Sequence, residues 1–218
     1  MLSEYITDED VTRDPVRLWE LPEARYPTRE PTQERRTEWS RAKFNPKAHG
    51  LPPENARDYW WRVGLHDLTA KLSGCAGWAV VATNLTTLPY MITEGFLLDG
   101  EDAVMETGAP SACHDNASRL TRLNPDKMVL MTGYALSDDG MWRGHSYCLR
   151  SEDDGSFTIV ETTVPRLAYF GHIVRHYQTP GAFPEMFNHK STAEEVHQRF
   201  RRDTDILKAH YQEHEPDF

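Results

Sequence analysis

The chain has 218 residues, 39% of them hydrophobic, which is enough for one sizeable core and fits one elaborated domain better than two. Its 34 acidic and 24 basic side chains give a formal net charge of −10. That charge argues against a general grip on nucleic acid, which needs a basic surface. Three cysteines without paired spacing do not make a disulfide scaffold. No apolar run is long enough to span a bilayer and the polar N-terminus is no signal peptide, so a soluble, cytoplasmic protein is expected.

Residues 1–53 are broken by Asp-Pro, Tyr-Pro-Thr, Glu-Pro-Thr, Asn-Pro and Leu-Pro-Pro, and read as an extended, Pro-rich arm. Short helical turns are expected around Val16–Leu21 and Gln33–Lys43. Between Arg25 and Lys47 there are seven basic residues against three Glu, the only basic stretch of the chain. It is either a solvated face or a dock for an acidic surface. Trp19, Tyr26, Trp39 and Phe44 are spaced to anchor the arm to the body, which favours wrapping over free disorder.

A single domain is expected over residues 54–218. Asn55–Leu72 reads as a helix with Trp60/Trp61, Val63/Gly64, Leu68 and Leu72 on its apolar face and Gly74 as its stop. Gly77–Thr87 is apolar and fits either helix or strand; Tyr90–Leu98 reads as a strand before an Asp99-Gly100 turn. A helix over residues 112–123 follows Pro110-Ser111, with Ser111 as its N-cap. Met128–Leu136 is a strand, and residues 137–144 form a loop. The runs 145–150 and 156–161 flank Ser-Glu-Asp-Asp-Gly and read as a hairpin. A further strand is expected near Leu167–Val174. The last helix spans Thr192–Gln212, with a capping-box signature in Ser191 and Glu194.

Three residues in this order carry the chemistry. Cys113 falls in the first turn of a helix, where free amides and the helix dipole favour a thiolate and could receive an oxyanion. A thiol nucleophile needs a base, and the base needs a third group that fixes its tautomer. His145 and Glu161 supply both. With a five-residue hairpin loop, Arg150 faces Ser156 and His145 stands directly opposite Glu161, their Cβ atoms about 5 Å apart. Each residue alone has a structural reading: a buried small hydrophobe, a hydrogen-bonding core histidine, an edge charge. Their joint placement favours catalysis. His114 is a poor base for Cys113, because successive helical residues diverge. Asn116, Trp142 and Tyr147 are the candidate substrate-binding residues. A helix-packing bond for Asn116 and a core role for Trp142 remain the structural alternatives. Cys148 points away from His145 by strand alternation.

The segments Cys113-His-Asp-Asn-Ala, Gly-His145-Ser-Tyr and Val-Glu161-Thr-Thr with Tyr169-Phe-Gly resemble the papain-like cysteine enzyme superfamily. The nearest likeness is to its transglutaminase-like and arylamine acetyltransferase-like branch, including a poorly characterised bacterial group. The pattern covers residues 105–172. Glu161 stands where aspartate is commoner, and the upstream amide side chain of papain-type peptidases has no counterpart here. The resemblance implies an α+β fold with a papain-like/transglutaminase-like core. In that fold a catalytic helix packs on an antiparallel sheet, with a wrapping N-terminal arm and a C-terminal helix outside the core. It implies a cysteine amidohydrolase or acyltransferase that forms an acyl-enzyme on Cys113 with a Cys113–His145–Glu161 triad. The substrate is then a small-molecule, peptide or protein acyl donor.

Two rivals differ in class: a non-catalytic binding or regulatory protein on the same fold, and a metal-dependent hydrolase. For the latter, His172/His176 and His210/His214 have two-ligand spacing but lack a zincin Glu and a third ligand. Asp138-Asp139-Gly140 and Asp153-Asp154-Gly155 are turns rather than calcium loops. No phosphate loop or dinucleotide fingerprint is present, so no metal or cofactor is expected. Oligomeric state is left open.

Overall fold

In a computed structural model, the protein is described over residues 8–12, 14–23, 26, 59–75, 79–81, 87–174 and 193–214. The elements in chain order begin with α1 (Asp8–Val11), β1 (Val16–Arg17), α2 (Tyr59–Cys75), β2 (Ala79–Val81) and α3 (Leu88–Thr93). They continue with β3 (Phe96–Asp99), β4 (Val104–Met105) and α4 (Cys113–Leu123). The last are β5 (Met128–Leu136), β6 (Met141–Ser151), β7 (Phe157–Glu161), β8 (Ala168–Ile173) and α5 (Ala193–Glu213). The fold is α+β. Seven strands run in the order β1-β3-β8-β5-β6-β7-β4, and β2 pairs with β6 off that path. The expected antiparallel sheet is mixed, because β2 joins β6 and β4 joins β7 in parallel.

Strand alternation sorts the core. On β5, Met128, Leu130, Tyr134 and Leu136 share one face, and both helix-bearing clusters are built there. One cluster joins Tyr134, Leu136, Trp142 and Phe170 to Leu68 and Leu72 of α2, Met91 and Ile92 of α3, and Leu207 of α5. The other seats Ala117 of α4 against Met128, Leu130, Cys148 and Val160. On the opposite face Val129, Met131 and Ala135 pack with Phe96, Tyr147, Leu149, Tyr169 and Ile173. Both faces of the central strands are therefore covered, which explains the near-continuous apolar run of β5.

The expected strand over Tyr90–Leu98 is instead helix α3 followed by the short strand β3. Pro89 lies in the first turn of α3, where its missing N–H costs nothing. The expected 137–144 loop shrinks to a turn, since β6 already begins at Met141 and Gly140 takes a left-handed φ of 77°. Only part of the arm can be compared with expectation. Val16–Arg17 adds a strand to β3, a 3-10 turn covers Leu18–Glu20, and Leu18 is buried in the helix-side core. Trp19 packs against His210 of α5 and stacks on His214 just past its end, while the Tyr26 hydroxyl donates to Asp99. Gln33–Lys43, Trp39, Phe44, His176 and Ser191 lie outside the described residues. Among the described residues, no helix is long and apolar enough to cross a membrane.

Candidate active site

The β6–β7 hairpin pairs Ser151 with Phe157, Arg150 with Thr158 and Cys148 with Val160. The expected direct opposition of His145 and Glu161 is therefore wrong by two residues: continued one step, this register puts Glu161 level with Tyr147. The cause is the turn. Gly155 adopts φ 83°, Gly155 N–H donates to Glu152 O, and Glu152 N–H donates to Ser156 O. A three-residue loop centred on Asp154 replaces the expected five. A shift of two keeps side chains on their face, so Glu161 reaches His145 along the diagonal.

Their contact is short and dry. Glu161 Oε2 lies 2.7 Å from His145 Nε2, and the two residues are 0% and 2% exposed. Oε2 also accepts the Tyr169 hydroxyl at 3.0 Å. Oε1 accepts Thr162 N–H at 2.8 Å, Thr163 N–H at 2.7 Å and the Thr163 hydroxyl at 2.8 Å. Burial works against the carboxylate, but the His145 hydrogen bond and charge, helped by Thr163, hold its pKa down at about 2. Tyr169 sits three strands from β7, about 14 Å in a flat sheet. Its bond to Glu161 therefore requires the sheet to curl with this face concave. Tyr147 stacks 15° off the plane of the His145 ring, and the Tyr147 and Tyr169 rings meet at 4.6 Å. The imidazole is thus fixed by a charge at one end and by aromatic packing at its side.

Cys113 comes to this imidazole beside a stretch of β6 that, among the described residues, neither β2 nor β7 pairs with. β5 pairs with β6 along one side from Trp142 to Arg150. On the other side β2 covers residues 141–143 and β7 covers 148–151. Between them, the start of α4 meets β6. The Cys113 sulfur is contacted there by the His145 side chain and by the backbone N–H groups of Ser146 and His114. Burial would raise the thiol pKa; those hydrogen bonds and the His145 charge lower it overall. The same contact moves His145 the other way: burial opposes protonation, yet Cys113 and Glu161 together raise its pKa. Since Nε2 faces Glu161, Nδ1 is the nitrogen left for the thiol.

The helix start departs from expectation in one respect. Its N-cap is Ala112, which makes no side-chain cap bond, and Ser111 lies one residue earlier with φ 57°. A non-glycine residue in that left-handed region stores of the order of 1–3 kcal/mol of strain. No capping hydroxyl competes for the first-turn amides beside the sulfur. The loop is braced from both ends. β4 pairs in parallel with β7, and Gly108 N–H donates to Thr162 O. Thus the segment entering Cys113 is tied to the strand that carries Glu161.

The three candidate substrate-binding residues sit elsewhere or are engaged. Trp142 is fully buried and its indole N–H donates to Leu72 O at 3.0 Å, so it fills the core instead of walling a pocket. Tyr147 is fully buried beneath His145. The Asn116 amide grips Ala109 twice, accepting its N–H at 3.1 Å and donating to its C=O at 2.8 Å, which holds the loop before Cys113. Cys148 turns away from His145, as expected, against Thr121 and Ala117, and burial pushes its thiol up to about 12. Tyr169 and Thr163 as carboxylate donors were not foreseen: only a register spanning four strands puts Tyr169 beside Glu161. His210 and His214 stack on each other at 4.6 Å. Among the described residues, no group of three or more His, Cys, Asp or Glu is placed to hold a metal ion. Compared with known proteins, the chain matches no family model, no curated protein and no solved structure.

Proposed function

We propose that the protein is a cysteine-dependent hydrolase or acyltransferase of amide or thioester substrates, working through an acyl-enzyme on Cys113. The observation that carries this reading is the His145 imidazole, placed between a helix-start thiol and a saturated, buried carboxylate. In the reaction, the Cys113 thiolate attacks the substrate carbonyl. The oxyanion that forms lies at the amides of the first turn of α4. Protonated His145 gives its Nδ1 proton to the leaving group, and the carbonyl re-forms as a thioester on Cys113. Water or an amine then attacks that thioester, His145 takes its proton, and Cys113 leaves as the thiolate. Glu161 keeps Nε2 protonated throughout, which leaves Nδ1 to exchange the proton. A papain-like or transglutaminase-like architecture belongs to the same proposal. It is supported by a helix that begins at the cysteine and packs on a curled sheet bearing the histidine and the acid.

Incubation with an activated ester such as p-nitrophenyl acetate tests this. One equivalent of nitrophenol should be released in a burst, and peptide mass should place one acetyl group on Cys113. No burst in wild type, or one that survives in Cys113→Ala, would show that the thiol is not the nucleophile.

A further inference from the structure

We propose that His114 is a positioning residue that, through Ser146, holds a strand amide against the Cys113 sulfur; this inference rests on the nucleophilic reading of Cys113. Ser146 lies in the stretch of β6 between the segments paired with β2 and β7. Along β6 and its turn, the Ser151 N–H points to the β5 side and the Glu152 N–H points to the β7 side. By alternation the Ser146 N–H also points to the β7 side. There it meets the sulfur.

Among the described residues neither β2 nor β7 pairs with Ser146, and His114 with Thr132 restrains it. His114 Nδ1 and Ser146 Oγ are 2.6 Å apart. Ser146 Oγ gives its only proton to Thr132 Oγ1 at 3.0 Å, so the His114 bond runs from Nδ1–H to Oγ. His114 therefore joins helix to strand twice. Its backbone N–H reaches the Cys113 sulfur and its ring fixes the residue whose own N–H reaches that sulfur. Burial and the nearby His145 charge both favour the neutral ring, so it serves as a fixed donor and adds no second positive charge beside the thiolate. All of these groups are polar yet lie on the helix-bearing face, between the Tyr134–Phe170 cluster and the Leu130–Cys148 cluster. Apolar packing alone would give no reason for a polar row there.

The test uses the full chain and the thiolate absorbance near 240 nm, corrected with Cys113→Ala, titrated over pH. His114→Leu and Ser146→Ala should each cut the thiolate population below the midpoint by about tenfold, the weight of one hydrogen bond to a charged group. His114→Asn places an amide N–H near the position of Nδ1 and should restore the wild-type curve. Circular dichroism checks that each variant is folded, and Ser146→Ala is the milder change should His114→Leu prove unstable. If Leu and Asn at 114 shift the curve equally, the ring acts in some other way and the inference is overturned. It is equally overturned if neither Leu at 114 nor Ala at 146 shifts it. A wild-type midpoint near an ordinary thiol value would instead sink the reading beneath it, and the wild-type curve alone reveals that.

Discussion

Substituting Glu161 by glutamine separates charge from shape at the centre of the site. The carboxylate accepts five hydrogen bonds, and two of them, from His145 and Tyr169, converge on Oε2. The three donors at Oε1 require an oxygen, so the new amide nitrogen must take the place of Oε2. It then faces two former donors. His145 can relieve the conflict by moving its proton from Nε2 to Nδ1, and that tautomer can no longer accept the thiol proton. The Cys113 thiol should lose its ion pair and titrate near or above about 8.5, the ordinary value. Glutamine also imitates a protonated carboxyl. The depression from 4.5 to about 2 then corresponds to about 3 kcal/mol of lost stability at neutral pH. For a chain of this size that is a fall of about 6–12 °C in melting temperature. The sign follows from the depressed folded value. Wild-type advantage is fully present above the unfolded carboxylate pKa and disappears as pH falls through about 2. Two measurements check this: the pH profile of iodoacetamide labelling at Cys113, and melts of both proteins from pH 7 downward. A variant that keeps the wild-type labelling midpoint would refute the tautomer argument, and a constant gap in melting temperature down to pH 2 would refute the linkage.

Tyr169→Phe removes one of five donors but leaves the His145–Glu161 contact; urea melts should show about 1.5–3 kcal/mol lost, with the Cys113 labelling midpoint unchanged. At Gly171 an added Cβ would stand 2.6 Å from Thr132 O and 3.3 Å from the Tyr147 hydroxyl oxygen. Gly171→Ala should therefore cost about 1–3 kcal/mol by the same assay, because a backbone carbonyl cannot move aside cheaply. Asn116→Ala breaks both bonds to Ala109, an expected loss of about 2 kcal/mol, and amide hydrogen exchange should quicken across residues 108–112.

Local signals carried much of the site, and long-range ones were hidden. Pro110, the apolar rhythm after Cys113 and the turn cluster at 151–155 placed Cys113 on a helix and His145 and Glu161 on a hairpin. The register was missed because Gly155 takes a left-handed conformation that tightens the loop, and sequence alone does not say which loop residue turns. Parity saved the pairing: an error of two residues leaves both side chains on one face. Tyr90–Leu98 misled because β-branched and aromatic residues outweighed Pro89, whose place in a helix's first turn decides the element. Trp142 looked like a loop residue only because Gly140 and Gly144 bracket it; the parallel pairing of β2 makes it strand and core. Tyr169 belonged to a segment that carried the resemblance, but its bond to Glu161 gave no local signal, since it arises from sheet curvature.

The central claim is that Cys113 is an activated nucleophile, and the most direct measurement is site-resolved labelling of the three cysteines of the wild-type chain against pH. Cys75 and Cys148 are buried and act as internal controls. Read by peptide mass after brief iodoacetamide exposure, Cys113 should label first and reach half its maximal rate at a pH well under the ordinary thiol value of about 8.5. If Cys113 instead follows an unperturbed titration near about 8.5, or reacts no faster than Cys75 and Cys148, it is not the nucleophile of this site.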